Sequence, residues 1–243
     1  MSKATITKHL KLPFQFDESR LLADLAILED SQWALHFNTY GYEGDWKVIA
    51  LYAIGGQSSN IFADPNIQGA LEETEAIKAC SYFKEVIRHF QCPLLSVRLL
   101  RLNKGAVIKP HTDNNLGYED DCFRLHIPIT TNPDVEFMLD GEMLRMLPGE
   151  CWYTNVNYMH SVANRGESDR IHLVLDGQRN AWSDQLFFSL APQESFFPQV
   201  EISYSAETIQ QMIQHLQLSD TPAAAELIAS LEDQLKDIKV KEQ

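Results

Sequence analysis

The chain has 243 residues, 44% hydrophobic and 22% charged, with a formal net charge of −14. That length suits one large domain or a domain with an appendage, and the acidic balance argues against nucleic acid as a partner. No apolar run approaches the roughly 20 residues needed to span a bilayer, and residues 1–19 lack a continuous apolar segment, so a cytoplasmic protein with no membrane partner is expected.

Residues 1–93 mix helical and extended patterns. Asp17 is placed to cap a helix carrying Leu21, Leu22, Leu25 and Leu28 at helical spacing. Residues 45–54 form a β-rich run stopped by Gly55 and Gly56. Ile77, Cys80, Phe83, Ile87 and Phe90 then predict one further helix that ends near Pro93.

Residues 94–177 are different in kind. Short β-rich runs recur at 95–102, 105–109, 122–130, 135–139, 142–147, 151–155 and 171–175. Turn residues separate them, and Asp140-Gly141 between two runs is a two-residue hairpin signal. This spacing predicts an all-β sandwich or barrel with helices from the first zone at its back.

Residues 178–243 turn helical again. A short helix is expected over 182–190, closed by Pro192. Ile209, Met212, Ile213 and Leu216 make an amphipathic stripe. Thr221 followed by Pro222 marks a second start, continued for about three turns by Leu227, Leu231, Leu235 and Ile238. The plain reading is a terminal helix on its own domain, the alternative a homodimer or partner helix. The expected division is therefore 1–177, with its core at 94–177, and a helical extension at 178–243. Cys80, Cys92, Cys122 and Cys151 lack metal or disulfide spacing and are expected reduced and mostly buried.

The chemistry concentrates in His111-Thr-Asp113, His160 and Arg170. Two imidazoles and a carboxylate are the ligand types of a non-haem iron(II) facial triad, which leaves metal positions open. On an extended segment His111 and Asp113 point to the same face, and the intervening strands return the chain at His160, as in a jelly-roll barrel. Arg170 adds a cation able to hold the far carboxylate of an oxo-acid bidentately.

Strand parity adds to this. Phe123, Leu125, Ile127 and Ile129 share one face, opposite Arg124 and His126; Ile171, Leu173 and Leu175 share another, opposite Arg170 and His172. Such a basic face is either the solvated outside or the lining of an anion pocket. Arg98 and Arg101 are further candidates for that pocket. His172 is read as a hydrogen-bonding residue of the barrel rather than a ligand. His9, His36, His89 and His215 have no partner pattern and are assigned structural or surface roles. Glu119, Asp120 and Asp121 are expected in a solvated loop.

The segments His111-Thr-Asp113, Arg124-Leu-His-Ile-Pro-Ile129, Pro148-Gly-Glu-Cys-Trp152, His160-Ser161 and Arg170-Ile-His-Leu-Val-Leu-Asp176 resemble the aspartyl/asparaginyl β-hydroxylase family, which also takes in bacterial free-proline hydroxylases. The resemblance covers 94–177 well and the N-terminal zone loosely. It implies a mainly β protein with a double-stranded β-helix core, cupin-like, binding Fe(II) and 2-oxoglutarate and using dioxygen. It further implies His111, Asp113 and His160 as iron ligands, Arg170 with His126 on 2-oxoglutarate, and Arg124 on a substrate carboxylate. Animal peptide-aspartate hydroxylases lack the carboxylate ligand that Asp113 supplies here. That departure favours a free amino acid or derivative as substrate. The alternatives are an Asp or Asn side chain in a peptide and, in another class, a non-catalytic cupin-like metal-binding or sensing module.

Overall fold

The computed structural model describes residues 6–29, 31, 33–61, 69–197, 205–218 and 221–241. Thirteen strands are described: β1 (His9–Gln15), β2 (Ala34–Leu35), β3 (Tyr42–Glu43), β4 (Trp46–Ile54), β5 (Leu71–Glu73), β6 (Leu94–Leu102), β7 (Val107–His111), β8 (Cys122–Thr130), β9 (Val135–Leu139), β10 (Glu142–Leu144), β11 (Glu150–Thr154), β12 (His160–Asn164) and β13 (Arg170–Gln178). The α-helices are α1 (Glu18–Ile27), α2 (Glu75–Lys78), α3 (Ser81–Ile87), α4 (Ala181–Phe188), α5 (Ala206–Leu216) and α6 (Pro222–Lys241).

The strands form two sheets. The larger runs β1-β11-β8-β13-β6-β4-β2, with β5 beside β4, and the smaller runs β10-β9-β12-β7-β3. The fold is a double-stranded β-helix, mainly β with flanking helices. The order follows from alternation along each strand. On β8 and β13, Leu125, Ile127, Leu173 and Leu175 join the core packed under α1 and α3, whereas Val174 belongs to the core between the sheets with Phe137, Leu139 and Val162. The face carrying Arg124, His126, Arg170 and His172 is therefore the inner one, and those four side chains are buried.

Local chemistry sets the element ends. Asp17 caps α1 by accepting from the Arg20 N–H at 3.0 Å. Asp140 and Gly141 both hold positive φ, as a tight two-residue hairpin requires, and β9 pairs with β10 across them. β7 begins at Val107 rather than 105 because Gly105, at φ +76°, still belongs to the turn. The single helix expected over 77–90 is two. Cys80 leaves helical geometry, and the buried Asp24 carboxylate accepts from Tyr82 and Phe83 N–H at 2.7 and 2.8 Å, starting α3 afresh.

The chain divides into compact units at 1–198 and 199–243. The first unit thus takes in 178–198, which the sequence pattern assigned to the extension. Phe187 and Phe196 are the reason: both are fully buried, and Phe187 stacks on Tyr118 at 4.5 Å. In the second unit Ile209 and Ile213 of α5 bury against Leu231 of α6, so the amphipathic stripe is covered within the hairpin. The Thr221 hydroxyl caps α6 through the Ala224 N–H at 3.3 Å, and the helix is longer than three turns. The Ile238 side chain lies outside the described residues. Among the described residues no helix is long and apolar enough to cross a membrane.

Replacing Phe187 by alanine removes the centre of this aromatic cluster. Urea unfolding of Phe187→Ala is expected to show a loss of about 3–5 kcal/mol; a loss under about 1 kcal/mol would show that α4 is not part of the folded core.

Candidate metal and anion site

Pairing of β12 with β7 sets His160 directly opposite His111. The register shifts just beyond this pair, where Pro110, which has no N–H to give the ladder, occupies the longer side. Asp113 follows on the next turn, held by its N–H on the Val156 carbonyl at 2.9 Å. One ligand atom from each of His111, Asp113 and His160 lies within 4.8 Å of the others. The imidazole rings sit 4.2 Å apart.

Both rings are oriented in the same way, by a backbone carbonyl two residues earlier. His111 Nδ1 meets the Lys109 carbonyl at 2.8 Å and His160 Nδ1 meets the Tyr158 carbonyl at 3.0 Å. A carbonyl only accepts, so each Nδ1 carries the proton and each Nε2 presents its lone pair. Burial draws His160 down to about 4, which keeps its ring neutral. The donor set, two nitrogens and a carboxylate on one side of a shared point, fits a divalent transition metal with open positions.

Arg124 ties this centre to the sheet. Its Nη1 donates to Asp113 Oδ2 at 2.6 Å, and its Nε and Nη2 donate to Asp176 at 2.7 and 3.3 Å. Asp176 also accepts from Arg98 Nη2 at 3.0 Å and from the Ser96 hydroxyl at 2.7 Å. Burial raises the Asp176 carboxyl and the two arginines more than reverse that, leaving it at about 2. Arg124, expected on a substrate carboxylate, is thus already shared between two protein carboxylates. Arg98 joins the pocket. Arg101 does not: it lies on the other face of β6, paired with Asp169 at 2.7 Å.

Arg170 is the second focus. Its side chain is buried and has no carboxylate partner among the described residues. Its Nη2 donates to His172 Nδ1 at 3.0 Å, while its Nε is unpartnered. His172 thus hydrogen-bonds inside the barrel as its parity suggested, and the lone pair it offers requires a neutral ring. Burial alone draws the Arg170 guanidinium down to about 9. Both ring nitrogens of His126 and the Thr154 hydroxyl are also buried without partners among the described residues. Register pairs Thr154 with Arg124 and Trp152 with His126, so these groups line one inner wall. A cavity of about 530 Å³ opens beside Arg170 and His172, walled by Phe137, Leu144 and Met146.

Sequence reasoning did not select Asp176, Thr154 or His36. Asp176 has the parity of Arg170 on β13, and extending that strand by one residue would have found it. His36 is buried and lies in the field of Arg98, Asp113, Arg124 and His111, not on the surface. His9 instead faces Glu142 at 3.0 Å, and His89 bonds the Glu85 carbonyl at 2.9 Å.

Two histidines, a carboxylate and a buried arginine on the inner face of a jelly roll are the groups that a non-haem metal centre beside an anion pocket would use. Residues 17–180 match the family described as aspartyl/asparaginyl beta-hydroxylase, and the chain belongs to that family. It is 27% identical over 182 residues to L-proline cis-4-hydroxylase of Rhizobium meliloti, covering 74% of this chain and 64% of that protein. It is 28% identical over 173 residues to L-proline cis-3-hydroxylase 1 of a Streptomyces species, covering 69% and 59%. The chain therefore spans less than two thirds of the length of these relatives.

Asp176→Asn would leave two buried arginines short of a charge. A loss of about 3–5 kcal/mol is expected in urea unfolding at pH 7. The folded Asp176 lies below its unfolded value near 3.9, so its contribution is present above about pH 4 and fades towards pH 2. The variant should therefore lose less stability than the parent across that acid window. Parallel acid limbs would contradict the pairing.

Proposed function

We propose that the chain is an Fe(II)- and 2-oxoglutarate-dependent dioxygenase that hydroxylates an unactivated C–H of a free amino acid or amino-acid derivative. The observation that carries this reading is Arg170. A buried guanidinium without a carboxylate is costly unless an anion completes it. The unpartnered His126 nitrogens and Thr154 hydroxyl add hydrogen-bonding capacity on the same inner face, which suits a dicarboxylate better than an apolar ligand.

His111, Asp113 and His160 would hold the metal, with Arg124 fixing Asp113 Oδ2 so that Oδ1 is left for ligation. Arg170, oriented by His172 and assisted by His126, would anchor the far carboxylate of 2-oxoglutarate. When bound, iron supplies the activation of dioxygen: one oxygen atom enters succinate as CO₂ leaves, and the other enters the substrate C–H bond. Phe137, Val174 and Trp152 wall the interior and limit water around the reacting groups.

The free amino acid is favoured by the two proline hydroxylases that the chain resembles and by the presence of Asp113. Arg98 and Arg124 together face the site with more N–H groups than Asp176 and Asp113 consume, so a substrate carboxylate has donors to meet. A metal-binding module without turnover has no use for the uncompensated Arg170.

Calorimetric titration of the metal-loaded protein tests the assignment. Arg170→Ala should weaken 2-oxoglutarate by about 30-fold or more, the cost of removing one partner of a buried charge pair, with metal affinity nearly unchanged. Equal affinity for 2-oxoglutarate in variant and parent would show that Arg170 is misassigned.

A further inference from the structure

We infer that His36 is a specificity-determining residue that accepts a hydrogen bond from the amino nitrogen of the substrate. The inference rests on the amino-acid reading above and adds a residue from outside the family motifs. His36 follows β2, and its backbone N–H is bonded to the Trp46 carbonyl at 2.8 Å. Its ring lies flat on the Trp46 indole, with centroids 3.5 Å apart and planes 12° from parallel, and the Phe37 ring is tilted against it at 4.5 Å. Trp46 belongs to the core between the sheets, so the ring is held on the inner side of the barrel.

The imidazole is 7% exposed, and its Nδ1 is buried without a partner among the described residues. An orphaned polar atom of this kind is costly until a ligand satisfies it. The titratable groups whose field reaches it are Arg98, Asp113, Arg124 and His111, which belong to the candidate metal site. Burial above all, and then the two arginines, disfavour a protonated ring, so it is neutral and keeps one lone pair.

An amino acid brings a carboxylate and a protonated nitrogen, and each needs its complement. Arg98 and Arg124 suit the carboxylate. The nitrogen needs an acceptor, and the carboxylates of the site are already occupied. Asp176 accepts from Arg98, Arg124 and Ser96, while Asp113 is divided between Arg124 and the metal position. Among the described residues of this inner face, the buried side chains able to accept and left without a partner are His36, Thr154 and His126. Thr154 and His126 share the wall formed by β8 and β11 and suit the co-substrate. His36 comes from the β4 side, beside Arg98, whose strand β6 pairs with β4. Its position gives the nitrogen an acceptor while the arginines keep the carboxylate.

The test uses the full-length protein with Fe(II) and 2-oxoglutarate without oxygen, titrated with L-proline and with cyclopentanecarboxylate, the same ring and carboxylate lacking the nitrogen. Perturbation of the iron–2-oxoglutarate absorption reports binding. The parent should prefer L-proline by about 10-fold or more, as expected of one hydrogen bond to a charged group. His36→Phe keeps the stack on Trp46 and removes the nitrogens. It should lose that preference by weakening L-proline alone, with the absorption before titration unchanged, and His36→Gln should restore part of it. In turnover the same loss should fall on KM more than on kcat.

A preference intact in His36→Phe overturns the inference. So does a preference lost in Thr154→Val and kept in His36→Phe, which moves the contact to Thr154. A parent that forms the absorption yet responds to none of the twenty amino acids overturns both this inference and the amino-acid reading. A parent that never forms it fails at the level of the proposed dioxygenase.

Discussion

Arg124 bridges two carboxylates, Asp113 on the turn after β7 and Asp176 on β13, and through that bridge the candidate metal site is fixed to the large sheet. The guanidinium is planar with donors in a fixed fork, so it sets the orientation of both carboxylates at once. Without it Asp113 would sit on a turn held by one backbone hydrogen bond. With it, one carboxylate oxygen is committed and the other is turned towards His111 at 3.7 Å. The two ring tautomers, fixed by backbone carbonyls, complete a site organised before any metal arrives.

Charge accounting explains why the rest of the inner face has the composition it does. Arg98 and Arg124 balance Asp113 and Asp176, so a divalent ion leaves this group with an excess of positive charge. Arg170 adds another at the opposite end of β13, bonded to a neutral histidine and lying over the Phe137 ring. A barrel interior charged in this way would be costly with the ion bound, and anionic ligands would relieve it. Burial first, and then the arginines, keep His36 and His126 uncharged, which leaves each ring a lone pair for hydrogen bonding.

The sequence revealed the site better than its surroundings, for physical reasons. Alternation on β8 and β13 was legible because one face packs under helices and the other faces the second sheet, so Arg124, His126, Arg170 and His172 stood out from the leucines and isoleucines between them. β12 escaped notice because His-Ser-Val-Ala-Asn offers little apolar alternation, though it carries His160. The break between α2 and α3 was invisible because Asp24, which restarts the helix, lies far away in sequence. The reach of the first unit to Pro198 depends on Phe187 and Phe196 finding Tyr118, a tertiary match that local pattern does not encode. His36 had no motif because its partners, Trp46 and the arginines, come together only when β4 joins the sheet.

The central claim is that one metal and one 2-oxo dicarboxylate share this barrel, the first on His111, Asp113 and His160 and the second reaching Arg170. The most direct measurement is the absorption spectrum of the anaerobic protein during addition of Fe(II) and then 2-oxoglutarate. The account predicts a new charge-transfer band in the visible region that requires both components and is absent from folded His160→Ala. Folded, iron-loaded parent protein that never develops the band would contradict it.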